Sequence, residues 1–96
     1  MKKQFEIGQL VATAAVHSKM KSDDDFYRFC ITSFYRHSKG DWGDLSDEDK
    51  QMNDVAVECG DRILSSYRYN DDPEMRIWII TESDRSVTTI LFPSDY

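Results

Sequence analysis

Long apolar runs, clustered cations and cysteine are all scarce in this chain of 96 residues. No run approaches the ~20 apolar residues that a membrane span requires. Residues 1–3 are followed by polar side chains instead of the apolar core of a signal peptide. The two cysteines, Cys30 and Cys59, occupy apolar positions of predicted helices, which favours small buried thiols over a disulfide. We therefore expect a cytoplasmic protein with no membrane partner.

The chain has 12 Lys and Arg residues and 18 Asp and Glu residues, which gives a net charge of −6. Nonspecific nucleic-acid binding needs clustered Lys and Arg to displace counterions, so this composition argues against a direct nucleic-acid partner. The charge is localised: eight acids between residues 41 and 61 accompany one base, Lys50, for a local balance of −7. A localised acidic face suits a basic surface on a partner protein.

The remaining composition is that of a globular protein. Hydrophobic residues make up 40% of the chain and aromatic residues 12%, which is enough for a single small core. The length corresponds to one domain, and no linker, repeat or low-complexity segment divides it. We therefore treat residues 1–96 as a single domain.

The segment from Ser22 to Gly40 has the pattern of a core helix. Ser22 is the predicted N-cap, and the three aspartates that follow it favour the positive end of the helix dipole. Apolar residues then recur with helical period in two neighbouring stripes, Phe26, Cys30 and Phe34 in one and Tyr27, Ile31 and Tyr35 in the other. We predict a helix over residues 23–38 that ends before Gly40.

A second helix is predicted over residues 47–58. Ser46, with Asp49 three residues later, is typical of a helix N-cap, and Gly60 is typical of the residue after a helix. One face is expected to be buried, because apolar residues recur there at i, i+3, i+4 and i+7: Met52, Val55, Ala56 and Cys59. The opposite face is expected to lie in solvent: Lys50, Asn53, Asp54 and Glu58.

From residue 62 the apolar period changes to two, which predicts strands at 62–69, 75–82 and 87–92. Short turns separate these strands, so an antiparallel meander is expected. Residues 7–13 fit either a short strand or the first turn of a helix, and their β-branched side chains favour the strand. We predict an α+β fold of order β-α-α-β-β-β, in which two helices pack on one face of a three- to four-stranded antiparallel sheet.

The acidic segment contains the candidate partner-binding residues. At its centre Trp42 stands between two Gly-Asp pairs, in a loop, where ligand-contacting residues concentrate. A Trp in the loop of a small protein more often packs at the end of the core, so packing is the favoured interpretation of Trp42 and partner contact is the alternative. Helix capping or simple solvation is the alternative for the acids. We predict partner binding through this set: Asp41, Trp42, Asp44, Asp47, Glu48, Asp49, Asp54 and Glu58. The spacing of the acids does not match a calcium loop, so no metal site and no cofactor is predicted.

The two histidines, His17 and His37, lie far apart in sequence and have no zinc-like spacing. His37 falls in the last turn of the first predicted helix, where a cation interacts well with the dipole. No nucleophile stands in a recognised motif, and we expect a protein that is not an enzyme. The alternative is a small hydrolase that uses His37, Asp41 and Asp44.

Two sequence strings, residues 40–45 and 80–93, together with Gly60, Arg62 and residues 65–67, resemble a group of small uncharacterised proteins of plasmids, prophages and integrative elements. The resemblance covers about residues 37–96. It implies an accessory protein of a mobile element, loosely linked to restriction–modification, and it transfers no catalytic residue. The predicted element order also resembles the RelE/ParE toxin fold, although those toxins are typically basic.

We therefore expect a small acidic binding protein of a mobile genetic element, from a plasmid or a phage. Its expected role is to inhibit a host defence nuclease, as an anti-CRISPR or anti-restriction protein. Carboxylates of its acidic face would replace phosphates at the Lys and Arg side chains that hold DNA. A RelE-like small nuclease and a regulatory homodimer built on an exposed edge strand are the alternatives.

Overall fold

A computed structural model describes residues 5–70 and 72–96, and the elements in these ranges form an α+β fold. In chain order they are β1 (Gln9–Ala12), α1 (Ala14–Ser22), α2 (Asp24–Ser38), α3 (Asp47–Cys59), β2 (Ile63–Tyr69), β3 (Asp72–Thr81) and β4 (Val87–Leu91), followed by a 3-10 turn at Pro93–Asp95. The α+β class is confirmed. The helices predicted at 23–38 and 47–58 and the strands predicted at 62–69, 75–82 and 87–92 each correspond to an element.

The four strands form one mixed sheet in the order β1-β4-β3-β2. The pairs β2–β3 and β3–β4 are antiparallel, as the short turns predict. The prediction of a wholly antiparallel sheet is wrong, because β1 runs parallel to β4, with Gln9 opposite Val87 and Ala12 opposite Ile90. The first strand joins the last one, a long-range pairing that no local pattern of residues encodes.

The structure contains a helix that was not predicted, α1, which lies between β1 and α2. Its N-cap is Thr13, whose hydroxyl oxygen accepts from the backbone N–H of Val16 at 3.4 Å and whose hydroxyl donates to Asp95 at 2.7 Å. Only Val16 is fully buried in α1, so the helix has little apolar pattern for sequence reasoning to detect. Of the two alternatives for residues 7–13, the favoured strand is therefore the one that formed, at Gln9–Ala12, because the helix begins only at Ala14.

The main core lies between α1, α2 and one face of the sheet. Phe26 is its centre, with ring centroids 5.8 Å from Phe92 and 5.6 Å from Tyr69. Around it one cluster of fully buried residues joins the helices to the strands: Val16, Cys30, Tyr67, Ile77, Ile79 and Ile90. Of the two predicted stripes on α2, the one that begins at Phe26 is therefore the core stripe. Tyr27 and Tyr35, in the other stripe, are 49% and 59% exposed.

The two cysteines differ in environment. Cys30 is fully buried on α2, and burial raises the pKa of its thiol to about 12. Cys59 is exposed at the end of α3, so the expectation that it is a buried hydrophobe is wrong. Its exposure follows from the orientation of α3, which also leaves Met52 and Val55 exposed.

Candidate functional site

The segment 40–44 lies along the outer edge of β2 and completes its hydrogen bonding. Gly43 forms a parallel bridge with Ser66. The carbonyl of Trp42 accepts from the N–H of Ser66 at 3.2 Å, and the N–H of Asp44 donates to the carbonyl of Ser66 at 2.7 Å. The Asp44 carboxylate then accepts from the backbone N–H of Arg68 at 2.9 Å. An edge strand with open backbone groups invites pairing with other chains, and this segment covers that edge of β2.

Asp41 connects this edge segment to α2. Its carboxylate accepts from Arg36 Nε at 2.7 Å and from Arg36 Nη2 at 3.2 Å, a two-pronged ion pair that raises the pKa of the guanidinium. The same carboxylate accepts from the N–H of Gly43 at 3.1 Å. The carbonyl of Asp41 accepts from the Tyr67 hydroxyl at 2.6 Å, and burial raises the pKa of Tyr67. Asp41 is therefore engaged within the fold.

Trp42 is only 3% exposed, so it packs in the protein. Its indole N–H donates to Asp54 Oδ1 on α3 at 3.0 Å. Its ring lies 5.8 Å from the ring of His37 and 5.9 Å from that of Phe5. Trp42 thus connects α2 to α3. It also forms a small second core with Ala56 and Ile63.

The buried face of α3 is rotated about the helix axis from the one expected from its apolar pattern. The predicted buried face contains Met52 and Val55, yet these side chains are 69% and 58% exposed. The side predicted to be solvated contains Asn53, which is only 7% exposed and lies beside the buried Ala56. Of the four residues assigned to the buried face, only Ala56 is buried, so that prediction is wrong.

Hydrogen bonding by Asn53 explains this orientation. Its amide nitrogen donates to the carbonyl of Leu64 at 2.7 Å, and its amide oxygen accepts from the N–H of Leu64 at 3.3 Å. The side chain thereby replaces a strand partner at the edge of β2. A buried backbone group without a partner costs about 1–3 kcal/mol, so these two bonds favour turning Asn53 inward even though Met52 then faces solvent.

The acids of α3 are presented at its N-terminus. Ser46 caps the helix, since its hydroxyl oxygen accepts from the N–H of Asp49 at 3.1 Å. The next three residues, Asp47, Glu48 and Asp49, are all exposed. Their charges favour the positive end of the helix dipole and also face solvent.

The eight predicted partner-binding residues therefore divide into two groups. One group has its polar atoms or its ring engaged in the contacts described above: Asp41, Trp42, Asp44 and Asp54. Three of the other residues, Asp47, Glu48 and Asp49, lie exposed in the first turn of α3, and Glu58 is exposed near its end and also interacts with another residue. Sequence reasoning did not identify Met52 and Val55 as surface residues. The available signal was Asn53, because an amide that is buried to bond the backbone turns the neighbouring Met52 toward solvent.

A buried chain of hydrogen bonds runs from α2 across the sheet. Thr88 donates to the carbonyl of Ile7 at 2.8 Å, so its hydroxyl hydrogen is used there. Thr81 must then donate to Thr88, at 2.7 Å. His37 therefore carries its proton on Nε2, which donates to Thr81 at 2.8 Å, and its Nδ1 accepts from Ser65 at 2.5 Å. The hydroxyl geometry thus specifies one neutral tautomer of His37.

This neutral state contradicts the expectation of a cationic His37 at the end of α2. The side chain is fully buried, and burial lowers the pKa of His37 from 6.5 to about 3. In the proposed hydrolase, His37 would act with Asp41 and Asp44. Both ring nitrogens of His37 are bonded to buried hydroxyls. The Asp41 carboxylate is bonded to Arg36, and the Asp44 carboxylate to the backbone N–H of Arg68.

Among the described residues, no group of three or more His, Cys, Asp or Glu side chains is placed to hold a metal ion. No helix within residues 5–70 and 72–96 is long and apolar enough to cross a membrane.

The fold class is thus α+β, with an acidic and partly apolar surface on α3. Comparison with protein-family models, with curated proteins and with solved structures gives no match for this chain. The resemblance to mobile-element accessory proteins therefore stays a prediction, and the exposed surface of α3 is the feature that bears on function.

Proposed function

We propose that this protein is a non-enzymatic inhibitor from a mobile genetic element that docks α3 on a basic surface of a host defence nuclease. The supporting observation is the composition of the exposed side of α3, where Asp47, Glu48 and Asp49 precede the exposed apolar residues Met52 and Val55. Exposed carboxylates attract the Lys and Arg of a DNA-binding groove, and apolar side chains add contact area that phosphates lack.

The proposed docking surface on α3 contains fewer residues than the surface expected from the sequence. Asp41, Asp44 and Asp54 contribute to it indirectly, by holding the edge segment 40–44 and Trp42 in place. Docking is therefore assigned to the three acids in the first turn of α3, Asp47, Glu48 and Asp49. A rigid helix that presents three charges in one turn needs little reorganisation on binding, which preserves affinity.

Charge reversal tests this assignment. The triple variant Asp47→Lys, Glu48→Lys, Asp49→Lys should lose binding, because cations would face the basic groove. The assay is the electrophoretic mobility of DNA with a panel of purified restriction and CRISPR nucleases, in which the unmodified protein should displace DNA from a susceptible nuclease. Wild-type affinity should also fall between about 50 mM and 200 mM salt, since exposed charges are screened over ~8–10 Å at physiological ionic strength.

The matched control is the variant Asp24→Lys, Asp25→Lys, which reverses two exposed acids in the first turn of α2. Both variants lose about 0.3–1 kcal/mol of helix stabilisation per reversed acid, and circular dichroism reports whether each remains folded. The control should displace DNA as the wild type does. Equal activity of a folded triple variant would remove α3 from the interface, and a panel in which no nuclease responds would overturn the inhibitor proposal.

A second candidate, a homodimer, is favoured by the sheet edges. The outer edge of β2 is covered by the segment 40–44 and by Asn53, whereas β1 is the other edge strand and its Leu10 is 40% exposed. Antiparallel pairing of two β1 strands would extend the sheet across two copies. Light scattering after size exclusion distinguishes the candidates, because the dimer requires a mass of two chains at assay concentrations.

A further inference from the structure

A groove lies between α3 and β2, next to the exposed acids. Two adjoining cavities of about 260 and 270 Å³ form it, and both are lined by Met52, Asn53 and Leu64. Leu45 also lines one of the two cavities, and Tyr96 lines the other. Side chains of the size of leucine or methionine fit such a space.

The base of the groove is fixed by hydrogen bonds. The Asn53 amide is bonded to both backbone groups of Leu64, so the helix and the strand are held at a set spacing. Met52 forms the outer wall and is 69% exposed, although it is a large apolar side chain. A preformed apolar groove with an exposed methionine is typical of a binding surface, because methionine adapts its shape to different partners.

Charge indicates which partner the groove suits. Asp49 lines one cavity and Asp61 lines the other, so an acid stands at each part of the groove. The one cation in the lining of these two cavities, Arg62, is placed against Glu82 at 3.9 Å and over the ring of Tyr96 at 5.1 Å. A second copy of this chain docked through the same groove would bring the same acids against these acids, and like charges disfavour that contact. A basic partner segment is favoured instead.

The backbone of β2 further restricts the partner. At Leu64 and Ser66 the outer N–H and C=O groups are already bonded to Asn53 and to the segment 42–44. An extended peptide could not add to this edge by strand pairing, because the groups it would bond have partners. A helix, whose backbone groups bond internally, needs only side-chain contacts with a groove.

We propose that this groove binds a basic amphipathic helix of the partner, with an apolar side chain seated between Met52 and Leu64 and with Lys or Arg residues facing Asp49 and Asp61. This inference rests on the proposed function, since it specifies the partner chemistry of the same surface. The carboxylates steer and orient the helix, and the apolar anchor supplies contact area at the centre of the interface.

Two synthetic peptides provide the test. Each is about five helical turns long and carries the same Lys and Arg residues, with Leu along one face in the first and Ala in the second. The leucine peptide should bind about tenfold more tightly, because Ala cannot fill the groove. Methyl NMR should show its largest shifts at Met52 and Leu64. The variant Met52→Gln should remove most of the difference between the peptides, while the control Tyr35→Gln, at an exposed position of α2, should preserve it.

Each other result overturns the groove proposal in a recognisable way. Equal affinity for both peptides would mean that charge alone binds, which leaves the inhibitor proposal intact. Absence of binding by either peptide would reject the groove, while the nuclease panel would still decide the inhibitor proposal. Shifts of the Met52 methyl that depend on protein concentration without peptide would identify a second copy as the occupant.

Discussion

Gly43→Ala is expected to destabilise the protein far more than Gly60→Ala, although the two glycines share a left-handed backbone. Their φ angles are +76° and +77°. At Gly60, just after α3, a new Cβ would meet no atom within 4 Å, so only the backbone strain of about 1–2 kcal/mol applies. At Gly43 the same Cβ would overlap the backbone oxygen of Ser66 and lie 2.7 Å from the Tyr67 ring. Overpacking adds about 1–3 kcal/mol, for a total of about 2–5 kcal/mol.

The comparison measures what the edge segment contributes. Relief of the overlap requires segment 42–44 to move off β2, which breaks its bonds to Ser66. Urea denaturation followed by circular dichroism gives the free energy of unfolding of each variant. Similar losses for Gly43→Ala and Gly60→Ala would mean that the segment does not lie against β2, and the interpretation of residues 40–44 as an edge cover would be withdrawn.

Acid should destabilise this protein through His37 over a defined pH range. Burial lowers the pKa of His37 from 6.5 to about 3, so between these values the unfolded chain binds a proton that the folded chain does not. The stability that depends on a neutral His37 is fully present above pH 6.5 and is lost as the pH falls toward about 3. The loss is about 1.4 kcal/mol per pH unit, or about 3 kcal/mol between pH 6.5 and about pH 4.

A neutral replacement isolates the histidine from the many carboxylates that also titrate in acid. His37→Gln should lower stability at neutral pH, because it disturbs the bonds to Ser65 and Thr81, and its stability should vary less between pH 6.5 and 4 than that of the wild type. His17→Gln changes the exposed histidine of α1 and serves as the control. Parallel pH profiles for His37→Gln and the wild type would contradict a buried neutral His37.

The elements that sequence reasoning located well are those whose pattern is local. The N-cap of α2 is Asp23, one residue after the predicted Ser22, which instead ends α1. The period of two in β2 to β4 follows from one face packing on helices. The turn at 83–86 also formed as expected, with the Arg85 N–H donating to the carbonyl of Glu82 at 2.9 Å.

The features that could not be predicted depend on long-range pairing. The partner of β1 is β4, at the other end of the chain, and its parallel direction depends on the path of the three helices between them. The orientation of α3 depends on Asn53 meeting Leu64. Hydrophobicity alone would bury Met52. The apolar pattern of α3 therefore predicts the wrong buried face, because it does not include the two backbone hydrogen bonds of the Asn53 amide.

The candidate site was predicted as a segment of sequence, and its residues have separate roles in three dimensions. Asp41 and Trp42 are engaged in the fold, whereas Asp47 and Glu48 lie exposed. The charge pattern correctly located an acidic stretch but carried no information on which carboxylates already have partners. Arg36 and Arg68, which bond Asp41 and Asp44, come from elements on either side of that stretch.

The most direct test of the central proposal is a competition between this protein and DNA for a nuclease from the panel. If α3 occupies the DNA-binding groove, the concentration of protein that displaces half of the bound DNA should rise in proportion to the DNA concentration. No complex of nuclease, DNA and this protein should form. An inhibitory concentration that is independent of DNA, or a stable complex of all three, would contradict the proposal that carboxylates of α3 take the place of DNA phosphates.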